Sequence, residues 1–115
     1  MKTSELTGAA LDWAVAKCEG VLMRWERSTH DEAPLEYSPS TDWAQGGAII
    51  ERESISLSRR GEHSWSVWGA VLNDFEFDEE GATPLIAAMR CYVASKLGDE
   101  VEIPLTLLGT PRSKT

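Results

Sequence analysis

The chain has 115 residues, 42% of them hydrophobic and 26% charged, with a formal net charge of −8 and a pI near 4.7. That length gives one domain able to bury a core without staples, and the acidity excludes a nonspecific nucleic-acid binder, which needs a basic surface to displace condensed counterions. Cys18 and Cys91 lack any CxxC or histidine spacing, which argues against a metal site and for buried thiols in a reducing cytoplasm, and no long apolar run or signal-peptide layout occurs.

The first predicted element is a helix from Ser4 or Thr7 to Glu19. Leu11, Ala14, Val15 and Cys18 form one stripe, widened by Leu6, Ala10 and Trp13, and Gly20 closes it. Val21–Trp25 reads as a strand interrupted by Arg24, followed by a polar loop over Arg27–Pro34. Tyr37-Ser38-Pro39 reads as an extended lead-in, because Pro39 keeps Ser38 out of the α region. Ser40 or Thr41 is then placed to cap a short helix with Asp42 in its first turn. Trp43, Gly46/Gly47 and Ile50 fall on one face of that helix, the glycines marking a close approach.

Ile55/Leu57 and Trp65/Val67 alternate on either side of Arg59-Arg60-Gly61-Glu62, a hairpin signature. The acidic run Asn73–Gly81, in which Phe75 and Phe77 alternate, reads as a short extra strand or a mobile loop. Thr83 caps a last helix with Pro84 at its first position; Leu85, Met89, Tyr92 and Val93 share a face, Lys96 complements the dipole, and Gly98 follows the end. Val101 and Ile103 alternate with Glu100 and Glu102 as a short edge strand up to Pro104. The predicted order α-β-α-β-β-α-β makes an α+β domain over residues 1–108, a small α/β sandwich whose helices pack on a mostly antiparallel sheet. Residues 109–115 are expected to form a loose tail.

Four stretches carry a likeness to a known family: ELTGAALDWAVAKCEG, YSPSTDWAQGGAIIERESI, the Trp65–Val67 strand and GATPLIAAMRCYVASKLGDEVEIP. Together they resemble the NinX family of lambda-like tailed bacteriophages, a likeness that runs over almost the whole chain. More distantly, the order of a tyrosine, S-T-D, a helix, a hairpin and a late helix is similar to a phage α/β/α-sandwich family. The resemblance implies a nonessential accessory protein in the cytoplasm of an infected bacterial host, with no catalytic residues to carry over. Arg27–Pro34 and Asn73–Glu80 depart from the pattern, so partner contacts made there are not inherited.

Tyr37, Ser40, Thr41, Asp42 and Trp43 gather a phenol, hydroxyls, a carboxylate and an indole around one helix start. Their bland reading is a cap plus core aromatics. Their functional reading is a site for a nucleotide-like ligand, in which Trp43 stacks on the ring and Asp42 accepts from ribose hydroxyls. Trp68 joins the set if Trp65 and Val67 face inward, because alternation then puts it on the opposite face. The helix start at Thr83, with Arg90, offers donors for a phosphate; the bland reading of Thr83 is again a cap. Arg59-Arg60 reads as a solvated turn, with a phosphate clamp as its alternative.

His30-Asp31-Glu32 and Glu62-His63 place acids beside imidazoles in sequence only, and no nucleophile elbow, P-loop, paired-carboxylate pattern or metal spacing is present. No catalytic residue, cofactor or metal is therefore assigned, and the chain reads as a non-enzyme. The expected partner is a small nucleotide-like ligand such as a host anti-phage defence signal. The alternative is a host or phage protein bound through an aromatic patch, and a DNA mimic is a third reading. No nucleic acid and no membrane are expected as partners. A homo-oligomer is expected, since a sandwich this small has little room for a deep private cavity.

Overall fold

The computed structural model describes residues 1–20, 37–60 and 67–103. A 3-10 turn at Thr3–Glu5 leads into helix α1, Gly8–Glu19, which stops at Gly20, whose φ of 73° lies in the left-handed region that favours glycine. Helix α2 spans Trp43–Glu53, strands β1, β2 and β3 span Ser56–Arg60, Val67–Leu72 and Phe77–Gly81, and helix α3 spans Pro84–Leu97. The strands form one antiparallel sheet in the order β1-β2-β3. The mixed α+β class predicted from the sequence is what the chain adopts.

Helix α3 is the centre of the molecule. Its punctuation is as predicted: Thr83 Oγ1 accepts the Ile86 amide at 3.1 Å, Pro84 opens the first turn, and Gly98 follows the end with a φ of 90°. One side of α3 packs on β2 and β3, and α1 and α2 pack on it as well. It is consequently apolar around most of its circumference, burying Leu85, Ala87, Ala88, Met89, Cys91, Tyr92, Val93 and Ala94. Leu6, Leu11, Val15, Ile49, Ile55, Ala70 and Leu72 complete the core around it.

The pairing Leu57↔Ala70↔Glu79 fixes which side chains face α3. Ile55, Ala70 and Leu72 are buried on the inner face, whereas Val67 is 37% exposed. The predicted parity of Val67 and Trp68 is therefore reversed: Trp68 packs against the core, and Val67 faces outward. Trp65 lies outside the described residues. On the outer face Arg60 crosses the central strand to reach Asp78 at 2.8 Å and Glu80 at 3.2 Å. A Cβ at Gly69 would collide with its guanidinium, so the glycine in β2 opens that path.

Asn73–Gly81, predicted as strand or loop, resolves into a four-residue turn and β3. Phe77 packs inward, and its carbonyl accepts from Cys91 Sγ at 3.4 Å. Val101 and Ile103 are buried as expected but form no strand. Their segment runs beside the start of the chain instead, with the Val101 amide on Met1 O at 2.9 Å, the Thr3 amide on Asp99 O at 2.7 Å and Thr3 Oγ1 on Gly98 O at 2.6 Å. The predicted strand at Val21–Trp25, the predicted loop at Arg27–Pro34, the Gly61-Glu62 half of the predicted hairpin turn and the expected tail from Gly109 lie outside the described residues. Among those described, no helix is long and apolar enough to cross a membrane.

Candidate functional site

The start of α2 is shaped by the turn before it. Ser38 O accepts the amides of Thr41 at 3.0 Å and Asp42 at 2.8 Å, and Ser38 N donates to Gln45 Oε1 at 2.6 Å. Ser40, predicted as a cap, is instead buried, and its amide donates to Asp12 Oδ1 of α1 at 2.9 Å. Its hydroxyl is buried and makes no well-formed hydrogen bond. The cap is Asp42, whose Oδ1 accepts the Ala44 amide at 2.9 Å, because the turn leaves Asp42 as the last extended residue before the helix. Burial raises the Asp12 carboxyl above its usual range, and the Ser40 amide opposes that shift.

The buried face of α2 is Gly46 and Ile49, one step around the helix from the face predicted with Trp43. A Cβ at Gly46 would run into Pro39 O and lie 2.6 Å from Leu85 Cδ2, so this glycine is where α2 closes on the turn and on α3. Trp43 consequently points outward and is 55% exposed. Its ring lies along the helix beside Gly47, where a Cβ would sit 3.7 Å from Trp43 Cε3. Thr41 is exposed, and Tyr37 is half-buried against the core, its phenol pushed up to about 12 by burial and then by the charge of Glu19.

A polar cluster that the sequence reading missed ties the three helices together. Arg52 donates through Nη1 and Nη2 to both carboxylate oxygens of Glu19, at 3.0 and 2.6 Å, and Tyr92 OH donates to Glu19 Oε2. Arg52 Nη2 also reaches Tyr92 OH at 3.1 Å. The fork of Arg52 holds the Glu19 carboxyl below its ordinary range against the opposing effect of burial.

Tyr37, Ser40, Thr41, Asp42 and Trp43 thus belong to one locale, but the other predicted residues are engaged elsewhere. Trp68 lies on the inner sheet face with Arg59 above its ring at 5.8 Å. The Thr83 hydroxyl caps α3. Arg90 is a brace: its Nε donates to Leu6 O at 2.7 Å and its Nη1 to Glu80 O at 2.6 Å. It lines an open cleft of about 790 Å³ with Arg60, Asp78, Glu79 and Glu80, away from the residues of the α2 start. Its charge is therefore not delivered to Trp43.

The histidine pairs around His30 and His63 lie outside the described residues. The two thiols sit in apolar surroundings, with burial pushing Cys18 up to about 11 and Cys91 to about 12, far from a reactive thiolate.

No curated protein matches the chain. The family described as Bacteriophage P22, NinX matches residues 2–96, from the residue paired with Glu100 through the last turn of α3. A match over that much of the folded body, together with the α1, α2 and α3 segments that carry the likeness, places this chain in the NinX family of phage proteins.

Proposed function

We propose that this NinX-family chain is a non-enzymatic phage accessory protein that sequesters a nucleotide-like small ligand on Trp43, with a second copy of the chain covering the other side. The exposure of Trp43 carries this reading: a large indole, 55% exposed, stands at the first residue of α2, directly after a turn held by four backbone-anchored hydrogen bonds. Rigidity of that kind favours recognition, because little ordering remains to be done on binding. Stacking on an aromatic side chain contributes about 1–3 kcal/mol per base. The Thr41 hydroxyl and the Asp42 carboxylate beside it suit the hydroxyls of a ribose, while Asp42 disfavours a phosphate at the same place. With Arg90 committed to Leu6 and Glu80, the ring and sugar are the parts recognised. Small ligands are typically buried by about 70–90%, which one exposed indole does not supply, so a second wall is required. A symmetric dimer is the simplest source of one.

The same face also suits a protein partner, since Ala44, Gly47 and Ala48 continue the apolar surface of Trp43 along the outer side of α2. A thermal-shift panel of nucleotides separates the readings. A ligand at about 100 times its dissociation constant stabilises by about 2.7 kcal/mol. The best one is then titrated by calorimetry into Trp43→Ala and Asp42→Asn, the latter keeping a capping side chain. Loss of binding in folded Trp43→Ala and weakening in Asp42→Asn are expected. A parent protein that binds no nucleotide retires the ligand reading in favour of protein docking.

A further inference from the structure

A second exposed aromatic stands at the turn between β2 and β3. Phe75 is 73% exposed, and it is one of three consecutive non-glycine residues in the left-handed region, with φ of 57° at Asn73, 54° at Asp74 and 71° at Phe75. Asn and Asp tolerate that region and suit a tight hairpin; a bulky aromatic does not. Folding alone would place glycine at 75, which removes both the backbone penalty and the exposed ring. The phenyl group at 75 therefore works against the fold twice, once through its backbone and once through its contact with water.

The base of the turn is fixed. The Glu76 amide closes on Asn73 O at 3.0 Å, Leu72 pairs with Phe77, and Cys91 Sγ donates to Phe77 O. The ring is thus presented from a packed root. Asp74 and Glu76 flank it, and among the described residues neither forms an ion pair, whereas Asp78 and Glu80 are both taken up by Arg60.

We infer that this turn is a docking finger: Phe75 enters an apolar pocket on a partner protein, and the free carboxylates of Asp74 and Glu76 meet a basic rim around that pocket. An exposed aromatic centred between unpaired charges has the form of an interface hot spot surrounded by steering charges. A second copy of the chain is a poor occupant of this tip, because a chain with 19 Asp and Glu against 11 Lys and Arg offers little basic rim to meet Asp74 and Glu76. The finger is separate from the proposed ligand platform: its root packs on α3 at Cys91, whereas α2 closes on α3 at Leu85.

The test places a photo-crosslinking phenylalanine analogue at position 75 of the full chain, with the same group at exposed Ser58 as the control, in extract of phage-infected bacteria. The protein crosslinked at 75 is identified, purified and titrated against the parent and variants. Phe75→Ala and Phe75→Gly are expected to bind at least about tenfold more weakly, as for a hot-spot truncation, with Phe75→Trp retaining affinity. Asp74→Asn with Glu76→Gln is expected to weaken binding and flatten its salt dependence. Phe75→Gly is expected to melt at or above the parent's temperature. Trp43→Ala is expected to leave this affinity unchanged, so the platform and the finger fail separately. The inference is overturned by crosslinking at 75 no greater than at 58, by crosslinks only to a second copy, by parent-like affinity in Phe75→Ala, or by a Phe75→Gly variant that melts lower.

Discussion

Helices α3 and α2 lie side by side, yet α3 buries eight of its side chains and α2 buries only Gly46 and Ile49. The difference comes from their neighbours. Helix α3 is covered by the sheet, α1 and α2, so nearly every one of its positions answers to packing. Among the described residues, helix α2 has α3 as its main neighbour, and Trp43 on its outer face is exposed. The same residue types thus carry different meanings on the two helices: apolar surface on α3 holds the domain together, and apolar surface on α2 is left open to water.

The contrast breaks most sharply at Leu85, which is 3% exposed. Leu85→Ala is expected to cost roughly 2–5 kcal/mol in urea unfolding, the range for truncating a buried leucine. Gly46→Ala comes next. Its new methyl group meets a backbone carbonyl and Leu85 Cδ2, so a cost of about 1–3 kcal/mol is expected. Its neighbour Gly47 has room beside the Trp43 ring, and Gly47→Ala should instead stabilise by up to about 1 kcal/mol through helix propensity. Gly46→Ala combined with Leu85→Ala should cost less than the sum, because each change relieves the other's misfit. A Gly46→Ala variant as stable as the parent would show that α2 is not closed tightly on α3.

The Glu19–Arg52–Tyr92 cluster sharpens the comparison through pH. The folded Glu19 carboxyl lies below its usual value of 4.5, so the stability it contributes is present above that pH and is lost as pH falls through the lower folded value. Glu19→Gln should therefore remove part of the acid-limb loss seen in a pH series of urea midpoints. Buried Asp12 acts with the opposite sign, because its raised folded value favours the protonated form: its contribution is complete below 3.8 and declines as pH rises through the raised value. The smallest effect is expected on the outer sheet face. Asp78→Ala removes one exposed partner of Arg60, leaves Glu80 in place, and should cost under about 0.5 kcal/mol.

What the sequence made legible was local. Thr83, Pro84 and Gly98 bracket α3, Gly20 ends α1, and the alternation around Leu57 marks the β1 strand, because caps and period-two patterns act within a few residues. The direction of Trp43 was not legible, since Gly46 can share a stripe with either Trp43 or Ile49 and only the approach of Pro39 and Leu85 decides between them. The facing of Trp68 depends on hairpin register, which the pairing of Leu57 with Ala70 sets. Glu19, Arg52 and Tyr92 are separated by 33 and 40 positions, so nothing local announces their union. Arg90 looked available because guanidinium groups usually are; its carbonyl partners are Leu6, near the start of the chain, and Glu80, on the strand that precedes α3. Asn73-Asp74 did signal a turn, but not that Phe75 would join it in the left-handed region.

The hydrogen bonds that join residues 1–3 to residues 98–101 have a kinetic consequence. They connect groups separated by up to 100 positions, and closing a flexible loop of that length costs about 4 kcal/mol by the (3/2)RT ln n relation. Such contacts become favourable only after α1 and α3 have already docked, so this seam should form late during folding and contribute little to the transition state. Substitution of Thr3 should therefore accelerate unfolding while leaving the refolding rate nearly unchanged.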